Sequence, residues 1–212
     1  MNKRVLLTVA VCVSFAVLVV AGFTYRLSQP RILTDYEMRG YGAMMLETPR
    51  RFSSFELTDH RGQPFTPENL EGKWTLIFFG FTQCPDICPT TMASLNNLVA
   101  PLTDKEKKKV QVVLLSVDPE RDSVEKLAAY VPYFNPDFIG LTGSPAEILS
   151  LATQLGVIYT KVPLGEDNYT LDHSGNIVLI NPRGDYHGLF RPPFEEGGMR
   201  VALRSLMNTF KG

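Results

Sequence analysis

Two cysteines lie between a continuous apolar run and the start of a predicted helix, and this junction constrains the fold most. The run WTLIFF at residues 74–79 shows no alternation of apolar and polar residues, so it predicts a strand buried on both faces. The stretch GFTQCPDICP follows directly at residues 80–89. Because proline is favoured at the first helical position, we expect Cys88 just before a helix that begins near Pro89, and Cys84 in the loop before it.

A helix N-terminus favours a thiolate over a thiol, because its unpaired amides and its dipole attract negative charge. We therefore expect both cysteines to be reactive, as a redox pair or a soft metal requires. The sequence has three cysteines in 212 residues, too few for a disulfide scaffold. A structural disulfide between Cys84 and Cys88 would close so short a loop that it stabilises the fold by only about 2 kcal/mol. A labile, redox-active bond fits the pair better.

The order of predicted elements indicates an α/β fold. A second buried strand, VQVVLLSV, occupies residues 110–117, and a closing hairpin around 181–184 precedes the last helix. The predicted helices cover residues 89–102, 122–132, 145–155 and 196–210, with Asp122 as the expected cap of the second. A strand is predicted at 157–162, followed by a loop at 163–168. Strands that alternate with helices, followed by a hairpin and a helix, predict one mixed sheet covered by helices on both faces. This is the thioredoxin-like arrangement.

The N-terminal segment predicts a membrane helix. Residues 5–23 carry no charge and follow Lys3 and Arg4. The stretch exceeds the apolar core of a signal peptide and approaches the roughly 20 residues that span a bilayer. We expect an uncleaved anchor at residues 1–25, a linker at 26–50 and a folded domain at 51–212, with a removed signal peptide as the alternative. Cys12 interrupts the apolar run and is interpreted as a membrane-embedded residue.

The charge pattern argues against nucleic-acid binding, since the formal net charge is −1 and no basic patch stands out. No Arg- and Ser-rich transit peptide precedes the apolar run, which favours a bacterial envelope protein over a mitochondrial one.

Two thiols leave room for a third ligand, and the sequence has three histidines. His60 lies in a polar turn, where we expect it to be solvated, and His187 lies in a predicted late strand at a surface position. His173 belongs to the polar stretch DHSG before the predicted strand at 176–180, and we expect it to face the cysteine loop. Two thiolates and one imidazole suit copper, and zinc could use the same residues with a water.

The segments GFTQCPDICP, SVDPERDS and LDHSG, in this order, resemble the Sco/SenC family of copper-binding cytochrome c oxidase assembly proteins. The resemblance covers about residues 50–210 and includes the N-terminal anchor. It implies a thioredoxin-like fold and copper, as Cu(I) or Cu(II), bound by Cys84, Cys88 and His173. It also implies an acidic residue near the metal at Asp118 and a role at the dinuclear copper site of cytochrome c oxidase subunit II. The alternative partner is another copper-receiving envelope protein. Asp86 and Asp172, beside the ligands, are further candidates for contacts around the metal, and a fourth ligand from Asp86 or Asp118 stays open.

We therefore expect a membrane-anchored copper metallochaperone, a carrier and not an enzyme in the strict sense. It would pass once through the bacterial inner membrane, with its domain in the periplasm. The alternative is a thiol–disulfide reductase that keeps the copper-site cysteines of a partner reduced, and it needs no bound copper. A peroxiredoxin-like peroxidase is disfavoured because its Pro-x-x-x-Thr-x-x-Cys motif is absent: Thr82 precedes Cys84 by two residues, and position 78 holds Phe.

Overall fold

A mixed sheet forms the centre of the domain. The computed structural model describes residues 2–28, 31–165 and 168–210. Its strands are β1 (Ala43–Arg50), β2 (Leu57–Asp59), β3 (Pro64–Phe65), β4 (Trp74–Gly80), β5 (Val110–Ser116), β6 (Ile139–Thr142), β7 (Tyr159–Gly165), β8 (Asn168–His173), β9 (Ile177–Ile180) and β10 (Tyr186–Phe190). Within the described residues, eight of these strands make one sheet in the order β1-β10-β9-β4-β5-β6-β2-β3, and β7 and β8 form a separate hairpin.

Helices cover this sheet and a further helix lies at the N-terminus. They are α1 (Lys3–Ser28), α2 (Asp35–Gly40), α3 (Ile87–Val99), α4 (Asp104–Lys107), α5 (Val124–Phe134), α6 (Pro145–Gln154) and α7 (Glu196–Thr209), with a short 3-10 turn at Pro67–Leu70. Ser144 caps α6 by accepting the N–H of Glu147, as a Ser-Pro-x-Glu start predicts. The helix α5 instead begins after Ser123, so the expectation that Asp122 caps this helix is wrong.

The central strands β4 and β5 run parallel, from Trp74 beside Val110 to Gly80 beside Ser116. Every residue of both strands is buried, which requires a cover on each face of the sheet. The polar pair in this core is satisfied, because Gln111 Nε2 donates to Thr75 Oγ1 at 2.8 Å. Strand β9 pairs with β4 antiparallel, so the sheet is mixed. The predicted α/β fold, with a mixed sheet covered on both faces, is confirmed.

Residues 33–50 belong to the folded domain, although the sequence placed them in a linker at 26–50. Thr34 and Glu37 form a capping box at the start of α2, and β1 pairs with β10 from Ala43 beside Phe190. Leu33 is buried, and its N–H donates to Ser205 Oγ at 2.8 Å. Chain contacts accordingly divide the chain at Leu33. The segment looked like a linker because few of its side chains are buried and its charges are mixed.

The N-terminal unit, residues 1–32, consists of the helix α1 in its described part. An 18-residue window within Lys3–Arg26 has a mean hydropathy of 2.8, and by length and composition this stretch could cross a membrane. Its apolar side chains are exposed in the protein alone, as on a helix that meets lipid.

The hairpin β7–β8 differs from the sequence prediction, which ended a strand at 162 and placed a loop at 163–168. The two strands pair from Tyr159 beside His173 to Gly165 beside Asn168, while residues 166–167 of the predicted loop lie outside the described part of the chain. His173 is therefore the last residue of a strand. The sequence predicts a short hairpin from a strand at 52–57 and a turn at 59–62, and the structure has a hairpin at this turn, with β2 and β3 pairing from Leu57 beside Phe65.

His60 is buried, so the expectation that it is solvated is wrong. The ring Nδ1 of His60 accepts a hydrogen bond from the backbone N–H of Gly140 at 3.0 Å. The backbone N–H of His60 donates to the carbonyl of Gly140 at 2.8 Å. These two hydrogen bonds join the ring and the backbone of His60 to β6, and the polar turn therefore packs against that strand. His187 is half-buried, with its ring edge-on to Trp74 at 5.0 Å.

We expect acid to weaken the domain partly through His60. Burial, and secondarily the charge of Arg61, lowers the pKa of His60 from 6.5. The unfolded chain therefore takes up the proton first, so stability is complete above about pH 6.5 and is lost as the pH falls through the lower, folded pKa. Urea unfolding of the fragment 33–212 between about pH 8 and pH 5 measures this, because glutamine in His60→Gln does not titrate and should flatten the dependence. Equal slopes in the two proteins would contradict this role of His60, since the other two histidines are unchanged.

Candidate metal centre

The cysteine loop joins the end of β4 to the start of α3. The helix begins at Ile87, so Cys88 lies in its first turn and not before it. Asp86 occupies the capping position, but its side chain makes no capping hydrogen bond. Instead, the N–H of Cys88 donates to the sulfur of Cys84 at 3.3 Å. The sulfur of Cys84 thus takes the place of a capping oxygen.

Two thiols and one imidazole meet at this loop. One ligand atom from each of Cys84, Cys88 and His173 lies within 4.8 Å of the others. Cys88 Sγ and His173 Nε2 are 3.5 Å apart, although 85 residues separate them in the chain. Both cysteines are free thiols. The structure therefore brings together the three side chains that the sequence singled out.

The ring of His173 is oriented so that Nε2 faces the sulfur. Its Nδ1 lies 3.2 Å from the carbonyl oxygen of Ser174, and because a carbonyl only accepts, Nδ1 carries the proton. The ring stands edge-on to Phe78 and Phe81, with centroids 5.7 and 6.1 Å away. Burial lowers the pKa of His173, against smaller opposing effects of Ser174 and Asp172. The imidazole is thus neutral near pH 7, with the lone pair of Nε2 directed into the cluster.

Cys88 is the buried member of the pair. It has no exposed surface, and burial, reinforced by its contact with Cys84, raises the pKa of its thiol. The expectation of a reactive thiolate is therefore wrong for Cys88, because the loss of hydration exceeds the effect of the helix N-terminus. Cys84 is partly exposed. One sulfur of the cluster is reachable from solvent and the other is not.

Gly80 allows the sulfur of Cys88 to lie directly against the end of β4. A Cβ at this position would come within 3.1 Å of Cys88 Sγ and 2.9 Å of a ring carbon of Phe78. Any larger residue would displace the sulfur or the ring, so close packing requires a glycine at this position.

The three carboxylates proposed around the centre occupy different environments. Asp86 and Asp172 are exposed. Asp118 is buried at 1% exposure and accepts the hydroxyl of Tyr169 at 2.8 Å, besides pairing with Arg121. Within the described residues, no carboxylate oxygen joins the three ligand atoms.

Asp122 is the residue near the centre that sequence reasoning missed. Its buried carboxylate accepts the N–H and the hydroxyl of Thr82, and the hydroxyl of Ser116 at 2.7 Å. The carboxylate therefore ties the cysteine loop to the end of β5. The run DPERDS is a signal that could have marked it, because acidic residues are seldom buried unless they are bonded.

Comparison with known proteins gives a consistent picture. The model of the SCO1/SenC family matches residues 44–208. A putative copper-binding protein of Stutzerimonas stutzeri is 36% identical over 78% of this chain and 81% of its own length. The mitochondrial protein SCO2 of Saccharomyces cerevisiae is 38% identical over 82% of this chain, which spans 58% of that protein.

Two solved structures extend the comparison to the fold. Arabidopsis thaliana ScoI with copper bound is 34% identical, with a TM-score of 0.70 over 75% of this chain and 99% of that one. BsSco, described as a member of the Sco family of cytochrome c oxidase assembly proteins with a disulfide switch, is 26% identical, with a TM-score of 0.59 over 79% of this chain and 99% of that one. These matches confirm the predicted thioredoxin-like arrangement.

We expect the two thiols of the reduced protein to react at different rates. Cys84 is partly exposed, whereas Cys88 is buried and the pKa of its thiol is raised by that burial. In a Cys12→Ser background, iodoacetamide near pH 8 should label Cys84 first, as measured by mass spectrometry of the peptides. In the Cys84→Ser variant, the remaining thiol should react only as fast as the domain opens. Equal labelling rates in the native protein would contradict this asymmetry.

Proposed function

Because the chain belongs to the SCO1/SenC family, we propose that it binds copper through Cys84, Cys88 and His173 and serves in the assembly of cytochrome c oxidase. The observation that carries the proposal is the cluster itself, with its three ligand atoms within 4.8 Å of one another. Relatives named as copper-binding, or solved with copper bound, support the choice of metal.

The chemistry of the donor set fits copper. Two sulfurs and one imidazole nitrogen are soft to intermediate donors, and copper(I) is satisfied by few such ligands. The proton on Nδ1 of His173 leaves Nε2 free to bind a metal, and the carbonyl of Ser174 holds the ring in that orientation. Zinc would need a fourth ligand such as water to complete its usual four. Cys84 is partly exposed, so a receiving protein could reach one ligand and exchange it.

The same sulfurs couple metal binding to the redox state. If Cys84 and Cys88 form a disulfide, two thiols give up two electrons and two protons to an oxidant, and two of the three ligands are lost. Copper would therefore be held by the reduced protein and released on oxidation. A member of the family with a reported disulfide switch supports this part of the proposal.

We place the protein at the bacterial inner membrane, with α1 crossing it once and the domain in the periplasm. The length and hydropathy of Lys3–Arg26 support the anchor. The recipient would be the dinuclear copper site of cytochrome c oxidase subunit II, whose thiolate ligands take up the same soft metal. In this role the protein is a carrier and not an enzyme.

Copper titration of the reduced protein tests the proposal directly. We expect one copper per chain, lost in Cys84→Ser and in Cys88→Ser, and held much more weakly in His173→Ala because one of three ligands is gone. His187→Ala is the matched control, since its ring packs against Trp74 at 5.0 Å and lies outside the cluster. Zinc is titrated in parallel, and its preferential retention would reassign the metal. Full copper affinity in His173→Ala would remove that ligand.

A thiol–disulfide reductase is the second candidate, favoured by the pairing of an exposed sulfur with a buried one. Cys84 would attack a partner's disulfide, and Cys88 would resolve the mixed disulfide, leaving the partner with two thiols and this chain with a disulfide. We expect reduction of an oxidised dicysteine peptide from a copper site to be slow and to fall further in Cys84→Ser. Fast reduction that His173→Ala leaves unchanged would favour the reductase over the carrier, because no metal ligand is then required.

A further inference from the structure

We propose that the β5–α5 loop, residues 117–123, is a frame that sets the distance between the cysteine pair and His173. The ligands are carried by two arms, the hairpin β7–β8 and the cysteine loop, and the β5–α5 loop contacts each arm through a separate group of side chains. One group binds the hairpin β7–β8, which ends at His173, and the other binds the cysteine loop. The proposal rests on the proposed function where it concerns metal binding, whereas the contacts are present in the protein alone.

The hairpin needs such a support because the main sheet does not hold it. Within the described residues its strands pair only with each other, and most of β7 is exposed. In β8 only Leu171 is buried. At the base of the hairpin, the N–H of Ser174 donates to the carbonyl of Ile158 at 2.9 Å, which closes the hairpin on itself. The place of His173 therefore depends on what the hairpin contacts elsewhere.

Lys161 of β7 pairs with the exposed Glu120 of the loop at 2.7 Å, and the remaining contacts to the hairpin converge on Tyr169, four residues before His173. Its hydroxyl donates to Asp118 Oδ1 at 2.8 Å, and its carbonyl accepts from Arg121 Nη1 at 2.9 Å. The guanidinium of Arg121 also lies 3.8 Å from the centroid of the Tyr169 ring. Because Asp118 is 1% exposed and the Arg121 side chain 18% exposed, the charges that hold Tyr169 are largely shielded from water.

The contacts to the cysteine loop converge on Thr82, two residues before Cys84. Both its N–H and its hydroxyl donate to the carboxylate of Asp122, which is fully buried. The hydroxyl of Ser116, the last residue of β5, donates to the same carboxylate at 2.7 Å. The cysteine loop is thus bonded to the end of the neighbouring strand through one side chain.

The two groups of contacts share one rigid turn. The N–H of Asp122 donates to the carbonyl of Asp118 at 2.8 Å, and the N–H of Val117 donates to the carbonyl of Gly80 at 2.9 Å. Arg121 lies between the arms, with its guanidinium 5.9 Å from the ring of Phe81 in the cysteine loop. A change at either group should therefore move one arm relative to the other without altering a ligand.

The contacts to the hairpin are tested with Tyr169→Phe, which removes the hydroxyl, and Tyr169→Leu, which also removes the ring. Tyr159→Phe is the matched control, because it removes a hydroxyl from the same hairpin beside His173, and that hydroxyl donates no hydrogen bond among the described residues. In the metal-free full chain in detergent, amide exchange across β7–β8 should quicken in Tyr169→Leu, less in Tyr169→Phe and not in the control. Copper removal by a chelator should be about tenfold faster in Tyr169→Leu.

Double variants separate positioning from general damage. In a His173→Ala background, Tyr169→Leu should add no further loss of copper, because it acts only through that ring. Thr82→Val, by contrast, should speed copper loss in both backgrounds, because it acts through the sulfurs. Thr90→Val is its control, since Thr90 lies on the helix of Cys88 and its hydroxyl, among the residues that the structure describes, donates only to Asp86, at 3.5 Å.

The outcomes distinguish this proposal from the proposed function. A native chain that binds no copper would end the proposed function, while amide exchange in the metal-free protein would still test the frame. Unchanged exchange in Tyr169→Leu would overturn the frame. So would a loss of copper in Tyr169→Leu that persists in full without His173.

Discussion

The parallel pairing of β4 with β5 is the constraint on which the candidate centre depends. Because Gly80 lies beside Ser116, the carboxyl ends of both strands project from the same edge of the sheet. The cysteine loop follows one strand, and the β5–α5 loop follows the other. Burial on both faces gives these strands little freedom to shift in register. The pairing of the two strands alone therefore places the two loops side by side, independently of the contacts between their side chains.

The electrostatics of the cluster suit a bound cation better than free thiolates. Burial raises the pKa of Cys88 and lowers that of His173, so the buried thiol and the imidazole are both uncharged in the metal-free protein at ordinary pH. A metal that binds the sulfur must displace its proton, while the imidazole is already in the form that binds. The sulfur of Cys88 is buried and therefore shielded from solvent. The sulfur of Cys84 is partly exposed, so ligand exchange with a partner can begin there.

Sequence patterns predicted the parts of the molecule that local rules govern. The unbroken apolar run gave the position of β4, Ser144 with Pro145 gave the start of α6, and the cysteine spacing marked the metal centre. The patterns failed where contacts between distant residues decide the structure. Strand β8 forms in a polar part of the sequence, with the hydroxyl of Tyr169 hydrogen-bonded to a residue 51 positions earlier. Likewise, His60 is buried because the backbone N–H of Gly140, 80 positions later, donates a hydrogen bond to its ring. His173 was found only because a fold expectation supplied the missing long-range contact.

X-ray absorption at the copper edge of the reduced, copper-loaded protein tests the central claim most directly. The account predicts a first shell of two sulfurs and one imidazole nitrogen, and the imidazole signal should vanish in His173→Ala while both sulfurs remain. A shell of two sulfurs alone in the native protein, or an imidazole signal that survives in His173→Ala, would contradict it.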